Sequence, residues 1–299
     1  LEMEVRSKAA WFSVLSNTIL MSAKLTVGII IGSISVISEA IHSANDLLAS
    51  FIALFAVKTS TRPPDKEHPY GHGKIENISG TIEALLIFIA AGLIIKEAIA
   101  KIQIIAEGGS VVNPGWGIVV MGFSALMNFL VSSYLLKVGR ETDSIALEAD
   151  GMHLRTDVYT SLGVFIGLVL IKLTGYQMLD PIAAILVALL IVKAAYELTR
   201  KAFRPLMDTA LDDEVIALTE SILGNCCNDY VEYHDLRTRK SGQVSYIDLH
   251  LVLKADKSIQ EAHDLCDLIE ERIKKEIPHS NVLIHVEPDN RMQMFNYQN

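Results

Sequence analysis

Over the first two thirds of the chain the apolar residues fall into six blocks: Ala9–Ile31, Ile34–Lys58, Ile78–Ile99, Gly115–Lys137, Ile145–Lys172 and Pro181–Thr199. Each approaches the ~20 residues that an α-helix needs to cross the hydrocarbon core of a bilayer. Buried helices of a soluble protein would not supply six such lengths. Turn chemistry separates the blocks, at Gly32-Ser33, Arg62-Pro63-Pro64-Asp65, Gly108-Gly109 with Pro114, Gly139, and Gly175 ahead of Asp180-Pro181. The pattern predicts a membrane all-α domain of six transmembrane helices over residues 1–205.

From about Leu206 the periodicity changes. Asp212-Asp213-Glu214 starts a predicted helix that ends at Gly224, with acid in its first turn. A strand near Val231–Arg239, a Ser241-Gly242 hairpin and a strand at Val244–Leu253 follow. In the second strand Ile247, Leu249, Leu251 and Leu253 alternate with more polar positions, as one buried sheet face requires. A helix near Ser258–Ile277 must stop before Pro278, and Val282–Glu287 reads as a last strand. The order αββαβ predicts a small ferredoxin-like α+β domain over residues 206–299.

Basic residues set the expected orientation. Arg6, Lys8, Lys58, Arg62, Lys66, Lys74, Lys137, Arg140, Arg200, Lys201 and Arg204 all flank one set of block ends, whereas the other set has only Lys101 and Lys172. By the positive-inside rule both termini and the tail domain are cytoplasmic. Composition agrees with a membrane protein, since 51% of the 299 residues are hydrophobic and 20% charged. Cys226, Cys227 and Cys266 make no CxxC, and their odd number suits a reducing compartment better than a disulfide framework. The net charge is −9. Residues 1–205 carry 17 basic and 17 acidic side chains and residues 206–299 carry 9 and 18, so the excess lies in the tail. An acidic tail argues against nucleic-acid binding and suits cations.

The chemistry sits in three places. The second block contains His42 and Asp46 and the fifth His153 and Asp157, so each of two helices carries a His and an Asp four residues apart on one face. At ~1.5 Å per residue all four fall near mid-bilayer, where ionisable groups need partners and mark a pathway. Two imidazoles and two carboxylates form an N2O2 set that suits Zn²⁺, with Cd²⁺ and Co²⁺ as competitors. The bland reading of either pair alone is a buried interhelical hydrogen bond. Lys24 and Arg155 also fall in the blocks and are expected to snorkel or to pair with acids. Between the second and third blocks Asp65, His68 and His72 offer three zinc-type ligands within eight residues, beside glycines that let the backbone bend; a merely polar interfacial loop is the alternative. In the tail, His234, His250, His263, His285 and Glu287 make at least one further metal site the expectation.

These motifs, with His234-Asp-Leu-Arg-Thr-Arg and the final Leu-Ile-His285-Val-Glu-Pro, resemble the cation diffusion facilitator family over essentially the whole chain. The bacterial zinc and iron efflux members are the nearest match. The resemblance implies a homodimer in the bacterial inner membrane that exports divalent metal in exchange for protons. It assigns His42, Asp46, His153 and Asp157 to the transport site and Asp65, His68 and His72 to a loop site. His234, His250, His263, His285 and Glu287 then form a binuclear cytoplasmic site, and Lys74 and Asp208 a charge pair tying membrane domain to tail at the dimer interface. His42 stands where the bacterial relatives have Asp, which favours zinc over iron or manganese; Glu287 replaces a usual Asp. Zn²⁺ is thus expected as substrate and as bound tail metal, with Cd²⁺, Co²⁺ and Fe²⁺ as alternatives.

No GxxxxGK[ST] loop occurs, so an ion gradient is the expected energy source and an enzyme is not expected. The histidines bind metal when neutral and, with an ordinary pKa of about 6.5, accept protons when it leaves. Two rival readings are an intramembrane metallohydrolase, which the absence of HExxH disfavours, and a metal sensor on the same scaffold.

Overall fold

The computed structural model describes residues 2–32, 34–107, 117–226 and 229–289. Ser33, Gly108, Gly109, Pro114 and Cys227 lie outside the described residues. The chain divides after Phe203 into two compact units.

Six long helices make the first: α1 (Glu2–Ile31), α2 (Ile34–Ser60), α3 (Lys74–Ala106), α4 (Gly117–Glu141), α5 (Ile145–Thr174) and α6 (Leu179–Phe203). Most run past the apolar blocks at one or both ends, since hydrogen bonding carries a helix on beyond its apolar stretch. Among the described residues five helices, α1, α2, α3, α5 and α6, are long and apolar enough to cross a membrane. The fourth predicted block corresponds to α4, and its first two residues lie outside the described residues. The count of six spans is therefore an expectation met by five helices.

Small residues bring these helices close. Ala84 and Ala91 of α3 pack with Ala195 and Ala202 of α6 in one cluster that also takes in Ile87 and Ile191. Without a hydrophobic force between helices in lipid, such close backbone approach supplies the attraction. A second cluster joins Ala9, Ala10 and Val14 of α1 to Leu54 of α2, Leu135 of α4 and Leu147 and Leu154 of α5. Large apolar side chains such as Trp11, Phe12, Phe51, Phe55, Leu85 and Leu93 point outward. That inversion of a soluble surface suits a lipid-facing one. α5 ends where Gly175 adopts φ 75° and its N–H caps Ile171 O.

In the second unit a short 3-10 turn (Arg204–Met207) precedes α7 (Asp213–Gly224), β1 (Glu232–Ser241), β2 (Val244–Leu253), α8 (Ile259–Glu276) and β3 (Ser280–Pro288). The sheet order is β1-β2-β3, with β1 antiparallel and β3 parallel to β2. A parallel neighbour needs a crossover, which α8 provides. Ile247, Leu249, Leu251 and Leu253 are buried against Leu223, Ile269 and Ile273. Each side chain so buried contributes roughly 1.5–3 kcal/mol. Ser258 proves to be the cap of α8 rather than its first residue; its hydroxyl accepts from Glu261 N while Glu261 bonds back to it. Strand β1 begins one residue later than expected and ends two later, and β3 begins two earlier and ends one later, because ladder pairing continues past the apolar alternation.

Candidate metal centres

Helices α2 and α5 place the four candidate ligands crosswise. His42 Nε2 lies 3.4 Å from Asp157 Oδ1, and His153 Nε2 lies 3.5 Å from Asp46 Oδ1, so each imidazole faces the carboxylate of the other helix. Ligand atoms of His42, Asp46 and Asp157 all fall within 4.8 Å of one another. The set is graded in access. The His42 side chain is 52% exposed, against 10% for His153 and 4% for Asp46. Both ring nitrogens of His153 and Asp46 Oδ1 are buried without a hydrogen-bond partner. Buried polar atoms ordinarily find partners, so these have coordinating capacity in hand.

A polar layer surrounds the four. Asn128 of α4 donates from Nδ2 to Asp157 Oδ2 at 3.3 Å. Ser50, one turn beyond Asp46, donates to Asp150 Oδ1 at 3.0 Å, receives Asn17 Nδ2 at 2.6 Å and meets Ser13 Oγ at 2.9 Å. Reading the chain for His-Asp pairs passes over Asn128, Ser50 and Asp150. Asp150 and Ser50 had a signal, since they extend the two ligand faces at spacings of three and four; Asn128 had none. Lys24 pairs with Glu39 at 3.4 Å, as expected of a snorkelling or paired lysine. Arg155 takes no acid among its described contacts; its Nη2 donates to Ser133 Oγ and its plane covers the Phe129 ring.

The loop between α2 and α3 brings its three ligands together. Asp65 Oδ1 lies 3.3 Å from His68 Nδ1, Asp65 Oδ2 lies 3.2 Å from His72 Nε2, and Gly71 turns the backbone at φ 82°. Asp65 Oδ1 also accepts the backbone N–H groups of His68 and Glu67 at 2.7 and 2.9 Å. Those bonds, the one from His68 first, hold the Asp65 carboxyl below its ordinary pKa. It is therefore a ready anionic ligand.

In the tail, His250 Nδ1 lies 2.9 Å from Glu287 Oε1, His234 Nε2 lies 3.6 Å from Glu287 Oε2 and His285 Nε2 lies 3.8 Å from Glu287 Oε1. Register explains the cluster: His250 pairs with His234 on one side and with His285 on the other. A bulge between His234 and Arg237, with Asp235 at φ 55°, brings Asp235 Oδ2 to 3.8 Å from His250 Nε2. Strand alternation does not foretell a bulge, so Asp235 is legible only in three dimensions. Ligand atoms of His234, His250 and Glu287 all fall within 4.8 Å of one another, a donor set that fits a zinc-type ion, while His285 stands beside His250 outside that group. His263 stays apart, 3.5 Å from Asp267 on α8. Its helix packs Leu265, Ile269 and Ile273 against the apolar face of the sheet, away from the histidine row. Lys74 opens α3 in the first unit, and Asp208 in the second lies 3.7 Å from Arg239.

Comparison with known proteins identifies both units of the chain. Residues 10–207 match the cation efflux transmembrane domain, and residues 211–289 match the cytoplasmic domain of cation efflux proteins. The chain is 33% identical over 297 residues to the manganese efflux system protein MneP of Bacillus subtilis, covering 95% of this chain and 97% of that one. It is 31% identical to the cation-efflux pump FieF of Yersinia enterocolitica, covering 92% and 91%. It is 30% identical to the magnetosome protein MamB of Magnetospira sp., covering 92% of each. With a helical membrane domain and an α+β tail, each matched over most of its length, the chain belongs to the cation diffusion facilitator family of cation efflux proteins.

Proposed function

We propose that this protein exports Zn²⁺ from the cytoplasm in exchange for protons, as a homodimer working by alternating access. The observation that carries the reading is the crosswise approach of His42, Asp46, His153 and Asp157 from α2 and α5. Two nitrogen and two oxygen donors suit tetrahedral zinc, whereas a dedicated Mg²⁺ or Ca²⁺ site would use oxygen alone. Proton coupling follows from the same atoms: an imidazole must be neutral to bind metal and can hold a proton once metal has gone. Metal from the cytoplasm displaces protons, and protons from the other side displace metal. Each ligand state then favours one of two conformations by binding it more tightly.

Asp65, His68 and His72 are proposed as a loop metal site. His234, His250, His285 and Glu287, with His263 as a further candidate, are proposed as the tail set. A metal held there biases the opening equilibrium or holds the dimer together, and Lys74 and Asp208 are proposed to tie the membrane helices to the tail. Both termini are proposed to lie in the cytoplasm, a reading that the basic-residue distribution supports. A second reading, manganese as substrate, is supported by the similarity to MneP.

The test is metal-dependent proton movement in liposomes holding the purified protein, with Zn²⁺, Cd²⁺, Co²⁺, Fe²⁺ and Mn²⁺ compared across an imposed pH gradient. Zinc-driven flux that disappears in Asp157→Ala is expected. Flux that survives this substitution would remove the site assignment, and no flux with any metal from folded, zinc-loaded protein would favour a sensor.

A further inference from the structure

None of the four intramembrane ligands comes from α4, yet α4 carries a buried polar line. Ser124, Asn128 and Ser132 recur every four residues and are at most 6% exposed. Ser132 satisfies itself against Phe129 O within its own helix. Asn128 does not. Its Nδ2 donates to Asp157 Oδ2 at 3.3 Å, while its Oδ1 is buried without a hydrogen-bond partner, as is Ser124 Oγ one turn away. An amide serving only to pin α4 to α5 would be expected to satisfy both of its ends, since a buried polar atom left unpaired is costly. A hydrophobic side chain would fill the space without that cost.

We propose that Asn128 is a specificity-determining residue of the transport site. Its amide orients Asp157, and its carbonyl oxygen serves as an added donor to cations that take more oxygen than zinc does. The inference rests on the transport reading above and extends it to the choice of metal. Asp157 uses its two oxygens differently: Oδ1 faces His42 and Oδ2 is held by Asn128. Turning the amide about its last side-chain torsion exchanges nitrogen for oxygen at constant volume. The same side chain thus steadies the carboxylate in one orientation and offers an oxygen in the other. Zinc is satisfied by the two imidazoles and two carboxylates alone. Manganese favours carboxylate, carbonyl and water oxygens and higher coordination, so it gains from the extra oxygen. One scaffold can then pass a borderline metal and a harder one.

The experiment measures initial rates of Zn²⁺ and Mn²⁺ transport in liposomes for the wild type, Asn128→Leu, Asn128→Asp and Ser132→Ala, with thermal unfolding of each as a check on folding. Asn128→Leu is expected to slow both metals but to lower the manganese-to-zinc rate ratio by about tenfold, the scale on which groups supporting a metal ligand act. Asn128→Asp keeps the volume and the oxygen and is expected to restore the ratio, while Ser132→Ala leaves it unchanged. An equal fall for both metals in Asn128→Leu would overturn the assignment. So would a ratio that Asn128→Asp fails to restore, a test that stands even where Asn128→Leu does not fold. Wild-type protein that moves zinc but no manganese would also overturn it. Wild-type protein that moves neither metal would instead overturn the transport reading, and this inference with it.

Discussion

Glu76→Ala should be among the most destabilising single changes in the membrane unit, although Glu76 touches no proposed metal. Glu76 lies in the first turn of α3 and is 1% exposed; it pairs with Arg6 of α1, itself 2% exposed. Its two oxygens also accept the hydroxyls of Ser60, the last residue of α2, at 2.6 Å and of Ser144, which precedes α5, at 2.5 Å. One carboxylate therefore joins the ends of four helices. Removing it breaks a buried ion pair from one side, which costs about 3–5 kcal/mol. Each lost charge-assisted hydrogen bond is worth about 1.5–3 kcal/mol taken alone, but the bonds share one carboxylate, so these figures overlap rather than add. Equilibrium unfolding in detergent micelles, followed by far-UV circular dichroism, should show a loss of about 3–5 kcal/mol. The double variant Arg6→Met/Glu76→Met should recover most of it, because an apolar pair of similar volume carries no desolvation penalty. A single variant within about 1 kcal/mol of wild type, well below the cost of a broken buried pair, would refute the reasoning. A double variant as unstable as the two single losses summed would do the same.

Two smaller predictions concern backbone geometry. In Gly139→Ala the new methyl group would lie 2.8 Å from Glu148 Cγ and 2.9 Å from Glu148 N, and a backbone atom cannot yield, so a loss of about 1–3 kcal/mol is expected in the same unfolding assay. Gly92→Ala, which meets nothing within 4 Å inside α3, should be neutral or gain up to about 1 kcal/mol. Ser258→Ala removes the cap of α8 and should cost about 1 kcal/mol at neutral pH, seen as faster amide exchange in the first turn of that helix in the full-length protein. The Glu261 carboxyl is held below its ordinary pKa by the Ser258 side chain first and the Ser258 N–H second. Its contribution is therefore complete above the unfolded value and fades as pH falls through the lower folded value; exchange that slowed on acidification beyond the intrinsic trend would contradict this.

Local periodicity made much of the protein legible in advance. A run of apolar residues long enough to cross a bilayer is a helix because lipid leaves the backbone no other partner. A spacing of four puts His42 with Asp46 and His153 with Asp157, whatever the helices then do. Asp65, His68 and His72 meet because the chain between them is short, and β2 buries Leu249 and Leu251 because strand side chains alternate.

Packing decided the rest. That His42 meets Asp157 of another helix is settled between residues 115 positions apart. The approach of Asn128 to Asp157 and the burial of Glu76 with Arg6 depend likewise on which helices lie side by side. The bulge at Asp235 and the separation of His263 from the histidine row follow from how β1 pairs and which face α8 covers. A sequence states which face of each element is apolar, but the partner of that face depends on shape and close contact between surfaces remote in the chain. For that reason the two halves of the proposed transport site could be read from the residues, while the geometry that brings them together belongs to the fold.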